Sequence, residues 1–278
     1  MKAEINTSIK LLKVVNEINI FRAMEKSLAK KTSAVFVKET HGRSGLVEYT
    51  SNNCPVPVVK EISDLLIVSF NPNNSITRIC FLQAKYHRNY ITPFLKFKGD
   101  FYQWELLRLR PTIKNFGNSY FPSDILSFTN FKSITAFGVF YYDFNNDIDM
   151  LFSIPELIKP TKIKKHKSNP STTLIFQGKK NCPLINCWTS TTNELMTTCN
   201  LDVFETQLLK GVVGAPINGY KSIESYLHMA IKSIQKDYSH DLLNQIDRSF
   251  GPIETHESGV LIIPNMLFIK SNGINTYE

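Results

Sequence analysis

Three polar side chains stand at the ends of two apolar runs. Asp64 opens Asp64-Leu65-Leu66-Ile67-Val68, and Gln83 and Lys85 close Ile79-Cys80-Phe81-Leu82-Gln83-Ala84-Lys85. Such nearly continuous apolar runs read as central strands buried on both faces. Asn71-Pro72-Asn73-Asn74 between them is a turn signal. The segment therefore predicts a hairpin, with Ile62–Phe70 as one strand and Thr77–Tyr86 as the returning one. Antiparallel pairing sets the start of one strand beside the end of the next, so Asp64 is expected near Gln83 and Lys85. Residues two apart on a strand face the same way. Gln83 and Lys85 thus project together, and Ala84 points away.

A carboxylate with a second oxygen ligand can hold a hard cation such as Mg²⁺. A neighbouring lysine can orient or deprotonate a water, or steady negative charge on a phosphate. Together these are the parts that hydrolysis of a phosphodiester needs.

The order helix, strand, Asp-bearing strand, strand with Gln-x-Lys, helix, strand resembles the core of the PD-(D/E)XK nucleases. That superfamily includes restriction endonucleases, repair and recombination nucleases, and anti-phage effectors. The resemblance spans residues 8–143, half of the chain. It implies that Asp64 is the metal-binding carboxylate and that Gln83 is the second ligand through its side-chain carbonyl. It also implies that Ala84 lends a main-chain carbonyl and that Lys85 is the catalytic lysine. The family often adds a Glu from its first helix. Glu25, in the last turns before the first strand, is the preferred match and Glu17 the next, with Glu61 and Glu48 as loop-side alternatives. Two departures stand out. Gln replaces the usual acid at position 83, which removes one negative charge and leaves the site more dependent on the helix Glu. Ser63, not Pro, precedes Asp64.

The fold so implied is α/β: a restriction-endonuclease-like core with a central mixed β-sheet flanked by helices over 1–145, and a C-terminal α/β extension over 146–278 for substrate or partner binding. One continuous domain with insertions is the other organisation open. The implied activity is Mg²⁺- or Mn²⁺-dependent cleavage of nucleic acid, double-stranded DNA first, leaving 5′-phosphate and 3′-hydroxyl ends. Bacterial restriction or anti-phage defence is the implied setting. An activating protein such as a helicase or ATPase, or a second copy of the chain, is an expected partner. The alternative is a catalytically inert module of the same fold that binds DNA or a partner protein.

The elements that must position these residues follow from periodicity. Ile9, Leu12, Val15, Ile18, Phe21 and Leu28 predict a helix over 8–30. Ala34–Lys38 is a short β-rich run, and 40–57 reads as loop from its Gly, Pro and Asn content. Gly99–Arg110 predicts a helix stopped by Pro111, and Ser133–Tyr142 a strand. Later, Leu174–Gln177, Val260–Ile263 and Met266–Ile269 are β-like, and Leu201–Lys210 and Tyr220–Lys236 are helical, with Asp241–Asp247 continuing the pattern.

Composition narrows the partners. Lysine and arginine number 32 against 24 acids, a balance of +8 that permits a polyanion without demanding one. An apolar share of 42% excludes wholesale disorder. Candidate nucleic-acid contacts are Arg43 in the loop His41-Gly42-Arg43-Ser44-Gly45, Arg88 and Arg108 among aromatics, and Lys164 and Lys165 in the basic run Lys159–Lys167. Trp104, with Phe101 and Leu107, is read as the core face of its helix. His87, two residues past Lys85, is placed to approach the site. No stretch reaches the ~20 apolar residues of a membrane span, and Met1–Lys13 has no signal-peptide core. Five cysteines, an odd and low number, fit a reducing cytoplasm better than a disulfide scaffold. Cys182, Cys187 and Cys199 could supply zinc thiolates, although Cys-x4-Cys is wider than usual and half-buried thiols are the simpler reading. There is no phosphate loop ending in Gly-Lys-Ser/Thr, no His-x-x-x-His pair and no Gly-x-Ser-x-Gly elbow.

Overall fold

The structure is a computed structural model that describes residues 1–12, 15–31, 35–36, 45–71, 76–88, 96–161, 170–176, 194–234 and 266–270. Its elements run α1 (Lys2–Lys10), α2 (Glu17–Lys31), β1 (Val35–Phe36), β2 (Leu46–Tyr49), β3 (Val58–Glu61), β4 (Leu65–Asn71), β5 (Ile76–His87), β6 (Lys96–Asp100) and α3 (Phe101–Leu109). They continue with β7 (Lys114–Asn115), β8 (Thr135–Tyr142), β9 (Ile148–Ser153), β10 (Ile158–Pro160), β11 (Ser171–Phe176), β12 (Thr198–Cys199), α4 (Leu201–Leu209), β13 (Ala215–Pro216), α5 (Lys221–Ile234) and β14 (Met266–Lys270).

The apolar hairpin forms the centre of the main sheet. β4 and β5 pair antiparallel from Leu65↔Leu82 to Asn71↔Ile76. The sheet has eight strands in the order β1-β14-β4-β5-β8-β9-β12, with β13 beside the early part of β5. It is mixed: β5–β8 and β14–β4 are parallel, whereas β4–β5 and β8–β9 are antiparallel. Strands from both sides of residue 145 lie in this one sheet. Two smaller three-stranded sheets, β10-β11-β6 and β3-β2-β7, sit outside it.

Alternation along the strands sorts the apolar side chains into two cores. Leu66, Val68, Ile79, Phe81, Phe137 and Val139 pack with α3 and α5 on one face. Leu65, Ile67, Cys80, Leu82, Ala84, Ala136 and Phe140 pack with α1, α2 and α4 on the other. Each fully buried Leu, Ile or Phe contributes roughly 1.5–3 kcal/mol against exposure. Two covered faces explain why the central strands read as unbroken apolar runs. Gly214 (φ +90°) is needed where β13 meets the hairpin, because a Cβ there would lie 2.4 Å from the Ile79 carbonyl oxygen.

Two elements differ from the sequence reading. The predicted helix over 8–30 is two helices. Asn16 caps the second: its Oδ1 accepts the Asn19 N–H (2.8 Å) and its carbonyl accepts the Ile20 N–H (3.1 Å). A side-chain acceptor at the right place starts a new helix even where the apolar spacing runs on. The stretch 40–57 holds β2, whose Val47 and Tyr49 are buried and whose Leu46 and Glu48 are half-buried. Its four-residue alternation is too short to stand out between Gly-, Pro- and Asn-rich flanks. The predicted Asp241–Asp247 and Val260–Ile263 elements lie outside the described residues. Among the described residues, no helix is long and apolar enough to cross a membrane.

Candidate active site

The site lies where β5 outruns its partner. Pairing with β4 ends at Leu65↔Leu82, while β5 continues beside β8 from Phe81↔Thr135 to His87↔Tyr141. Among the described residues, Gln83–His87 therefore have a strand on one side only. Main-chain N–H groups left inside a protein need acceptors, and two carboxylates supply them. Asp64 Oδ2 accepts the Ala84 N–H at 2.7 Å, and Glu17 Oε2 accepts the Tyr86 N–H at 3.1 Å. N–H and C=O of one extended residue point to the same edge. The Ala84 carbonyl is therefore turned to this edge too, between the two N–H groups.

Asp64 reaches this place because its own N–H is bonded to the C=O of Leu82 (3.2 Å), the residue that Leu65 already pairs with. Glu17 reaches it because α2 begins there, set by the Asn16 cap. The structure thus brings Glu17, of the two helix glutamates, to Lys85 and Tyr86. Glu25 is eight residues further along α2, roughly 12 Å down the axis, and its side chain lies outside the described residues.

Gln83 is buried and carries a chain of amides to α3. Gln103 Nε2 donates to the Glu61 main-chain carbonyl (3.2 Å) and to Gln83 Oε1. A main-chain carbonyl can only accept, so it decides which end of the Gln103 amide faces it. Gln83 consequently gives its oxygen to Gln103 and its Nε2 to Asp64 Oδ2. The side-chain carbonyl expected as a second metal ligand faces α3, and an N–H faces the carboxylate. Asp100 fixes α3 in turn: it caps the helix by accepting the Gln103 N–H (3.0 Å) and pairs with Lys60 Nζ (2.7 Å).

Lys85 is half-buried, and its Nζ donates to Glu17 Oε1 at 3.4 Å. Burial pushes the Asp64 carboxyl up to about 7. The Lys85 charge pulls it back down, Glu17 adds to the rise, and the Ala84 N–H opposes it. Two carboxylates within electrostatic reach of each other, flanking a main-chain carbonyl, are a hard oxygen donor set. Mg²⁺ is typically held by one or two carboxylates, with water and phosphate completing the shell. Asp64, Glu17 and the Ala84 carbonyl, which also accepts from Gln83 Nε2 at 3.4 Å, are the groups that would hold Mg²⁺ or Mn²⁺. Among the described residues, no three or more His, Cys, Asp or Glu side chains are gathered for a metal.

The other residues singled out from sequence fall in several places. Arg88 is exposed just past β5, and Arg108 is exposed on α3 with its guanidinium 5.1 Å from the centre of the buried Trp104 ring. Glu61 contributes its carbonyl, not its exposed carboxylate. Glu48 is half-buried in β2, paired with Val59 and Lys114. His87 ends β5, half-buried, on the same strand face as Lys85. Cys199 is buried in the second core. Arg43, Lys164, Lys165, Cys182 and Cys187 lie outside the described residues. Gln103 is a contributor that the sequence did not single out; its position three residues after the capping Asp100 is the signal that α3 begins beside the site. No family model matches the chain, and no curated protein matches it.

Proposed function

We propose that this chain is a metal-dependent nuclease of the PD-(D/E)XK type that hydrolyses phosphodiester bonds, with double-stranded DNA as its first candidate substrate. The observation that carries the reading is the one-sided stretch of β5. There two carboxylates and a main-chain carbonyl meet beside Lys85. Bound Mg²⁺ or Mn²⁺ would neutralise phosphate charge and lower the pKa of water. Lys85 orients the attacking water and faces the charge that grows on the phosphate. Asp64 is held in place by the Ala84 N–H and the Gln83 amide, and Gln103 holds Gln83. Cys54, Cys80 and Cys199 are thiols, which suits a reducing cytoplasm. Restriction or anti-phage defence is the setting proposed, with an activating ATPase, helicase or second copy as partner.

A second reading, the inert nuclease-fold module, draws on the Gln83 orientation, which gives Asp64 an N–H where an acid would give another oxygen. The two separate in one experiment. Supercoiled plasmid and a duplex oligonucleotide are incubated with wild type, Asp64→Asn and Lys85→Ala, in Mg²⁺ and in Mn²⁺, with an RNA arm in parallel. Cleavage by wild type that both substitutions abolish supports the nuclease. Cleavage that survives both removes this site from the chemistry. Binding without cleavage by any of the three supports the module.

A further inference from the structure

The small sheet β10-β11-β6 has one buried face and one open face, and the open face is basic. Its register fixes which side chains share a side. Lys159 pairs with Ile175, which pairs with Lys96. One step along, Thr173 pairs with Lys98 and accepts the Thr161 N–H through its main-chain carbonyl. Partners across an antiparallel ladder point to the same side. The rows Lys159–Ile175–Lys96 and Thr161–Thr173–Lys98 therefore form one surface. Lys96, Lys98, Lys159 and Thr161 are exposed, and Thr173 and Ile175 half-buried. The alternate residues Phe97, Leu174, Phe176 and Ile158 are buried in the core that also holds α3. This alternation holds the face rigidly against the body of the protein.

Charge on this surface is one-sided. Among the described residues, no acidic side chain pairs with Lys96, Lys98 or Lys159. The acid that ends the ladder, Asp100 opposite Ser171, is taken by Lys60 at 2.7 Å and by the α3 cap. Along β6, Lys98 and Lys96 stand about 7 and 13 Å from Asp100. Gln103, which touches Gln83, begins one helical turn beyond it. A basic face thus starts where the α3 end of the candidate active site stops.

We infer that the Lys96–Lys98–Lys159 face of this sheet is a docking surface for the phosphate backbone of nucleic acid running to or from the Asp64 site. Its threonine hydroxyls supply neutral hydrogen bonds between the charges, and contacts from lysine to phosphate carry no sequence information, so the contact is independent of sequence. The inference rests on the nuclease reading for its direction, but it is tested by binding alone.

The experiment uses the full chain in EDTA, so that no cleavage is required, and follows a fluorescent duplex by anisotropy across a salt series. Lys96→Gln/Lys98→Gln/Lys159→Gln is compared with wild type and with Lys114→Gln/Lys210→Gln/Lys221→Gln. The second set removes the same charge from exposed lysines elsewhere, and thermal unfolding checks that both sets fold. Each lost phosphate contact makes the slope of log K against log salt shallower by about 0.9. The face variant is expected to lose about 2.7 of slope and to bind at least tenfold more weakly at low salt, while the control set stays near wild type. Equal loss in both sets overturns the inference, as does wild-type binding by the face variant or no binding by wild type. A wild type that cuts while the face variant binds normally sinks the surface and leaves the nuclease standing. Weakened binding by the face variant with no cleavage anywhere does the reverse.

Discussion

At the turn between β8 and β9, Lys2 Nζ donates to Asp143 (2.8 Å) and Asp149 (2.7 Å). At the start of β4, Asp64 accepts from the Gln83 amide and the Ala84 N–H, and the nearby lysine donates to Glu17. Both clusters sit at strand ends of one sheet and use the same residue types. In the first, lysine and carboxylates settle each other. Burial alone would lower the Lys2 ammonium, but the two carboxylates hold it above its ordinary range. The Asp143 carboxyl, which burial would raise, is held below its ordinary range by Lys2 and by the Asp147 and Asn145 N–H groups. In the second, burial wins and Asp64 rises to about 7. The lesson is that a buried charge satisfied by its own lysine ties the fold together. At Asp64, burial and the nearby Glu17 outweigh the Lys85 charge and the Ala84 N–H, so the carboxyl stays raised.

Substitution should pull the two clusters apart. Asp64→Asn is expected to reduce plasmid cleavage by at least about 100-fold while the melting temperature does not fall. Retained cleavage would end the distinction. Asp149→Asn is expected to do the opposite. Its carboxylate holds Lys2 and also accepts the Leu201 N–H (3.1 Å) at the start of α4. Stability should drop by about 2 kcal/mol, with part of the charge pairing kept through Asp143. A denaturant titration measures it, and cleavage should stay within about twofold of wild type.

Gln103→Leu tests whether the amide chain positions Asp64. It leaves Gln83 Oε1 and the Glu61 carbonyl without their donor, at a cost of about 1–2 kcal/mol. We expect kcat to fall about tenfold with KM nearly unchanged; a fall in stability alone would make the chain structural only.

The clusters should also answer pH in opposite senses. Asp64 has a folded pKa near 7 against about 3.9 unfolded. The folded state holds that proton more tightly, so its contribution is full below about pH 4 and is lost as pH rises through 7. Asp143, depressed on folding, contributes above about pH 4 and is lost as pH falls below it. Unfolding curves between pH 3 and 8 in EDTA should lose the neutral-side decline in Asp64→Asn and keep the acid-side one. The smallest effect is expected at Lys10–Asp147, a pair at 3.4 Å in which Lys10 is exposed and Asp147 half-buried. Asp147→Asn should change stability by less than about 0.5 kcal/mol.

Much of the site's scaffold was legible locally. The two apolar runs and the Asn-Pro-Asn-Asn turn specify a hairpin that brings Asp64 beside the end of β5, because antiparallel pairing sets the start of one strand by the end of the next. The cap of α3 was equally local, since Asp100 needs only the N–H three residues on. The helix break at Asn16 was less visible, because the apolar spacing continues across it and only a hydrogen bond tells cap from helix interior.

The sequence by itself determined the strands, their order in the hairpin and the acid, amide and lysine that this order gathers. Those follow from burial and period-two alternation, which act within a few residues. The tertiary structure decided the rest. It brought Glu17 onto the open edge of β5, turned the Gln83 amide by way of Gln103 and the Glu61 carbonyl, and joined lysines from β6 and β10 across β11. Each of these depends on partners distant in the chain. Hydrogen-bond direction and shared sheet faces are set by packing in three dimensions, and no spacing along one strand encodes them.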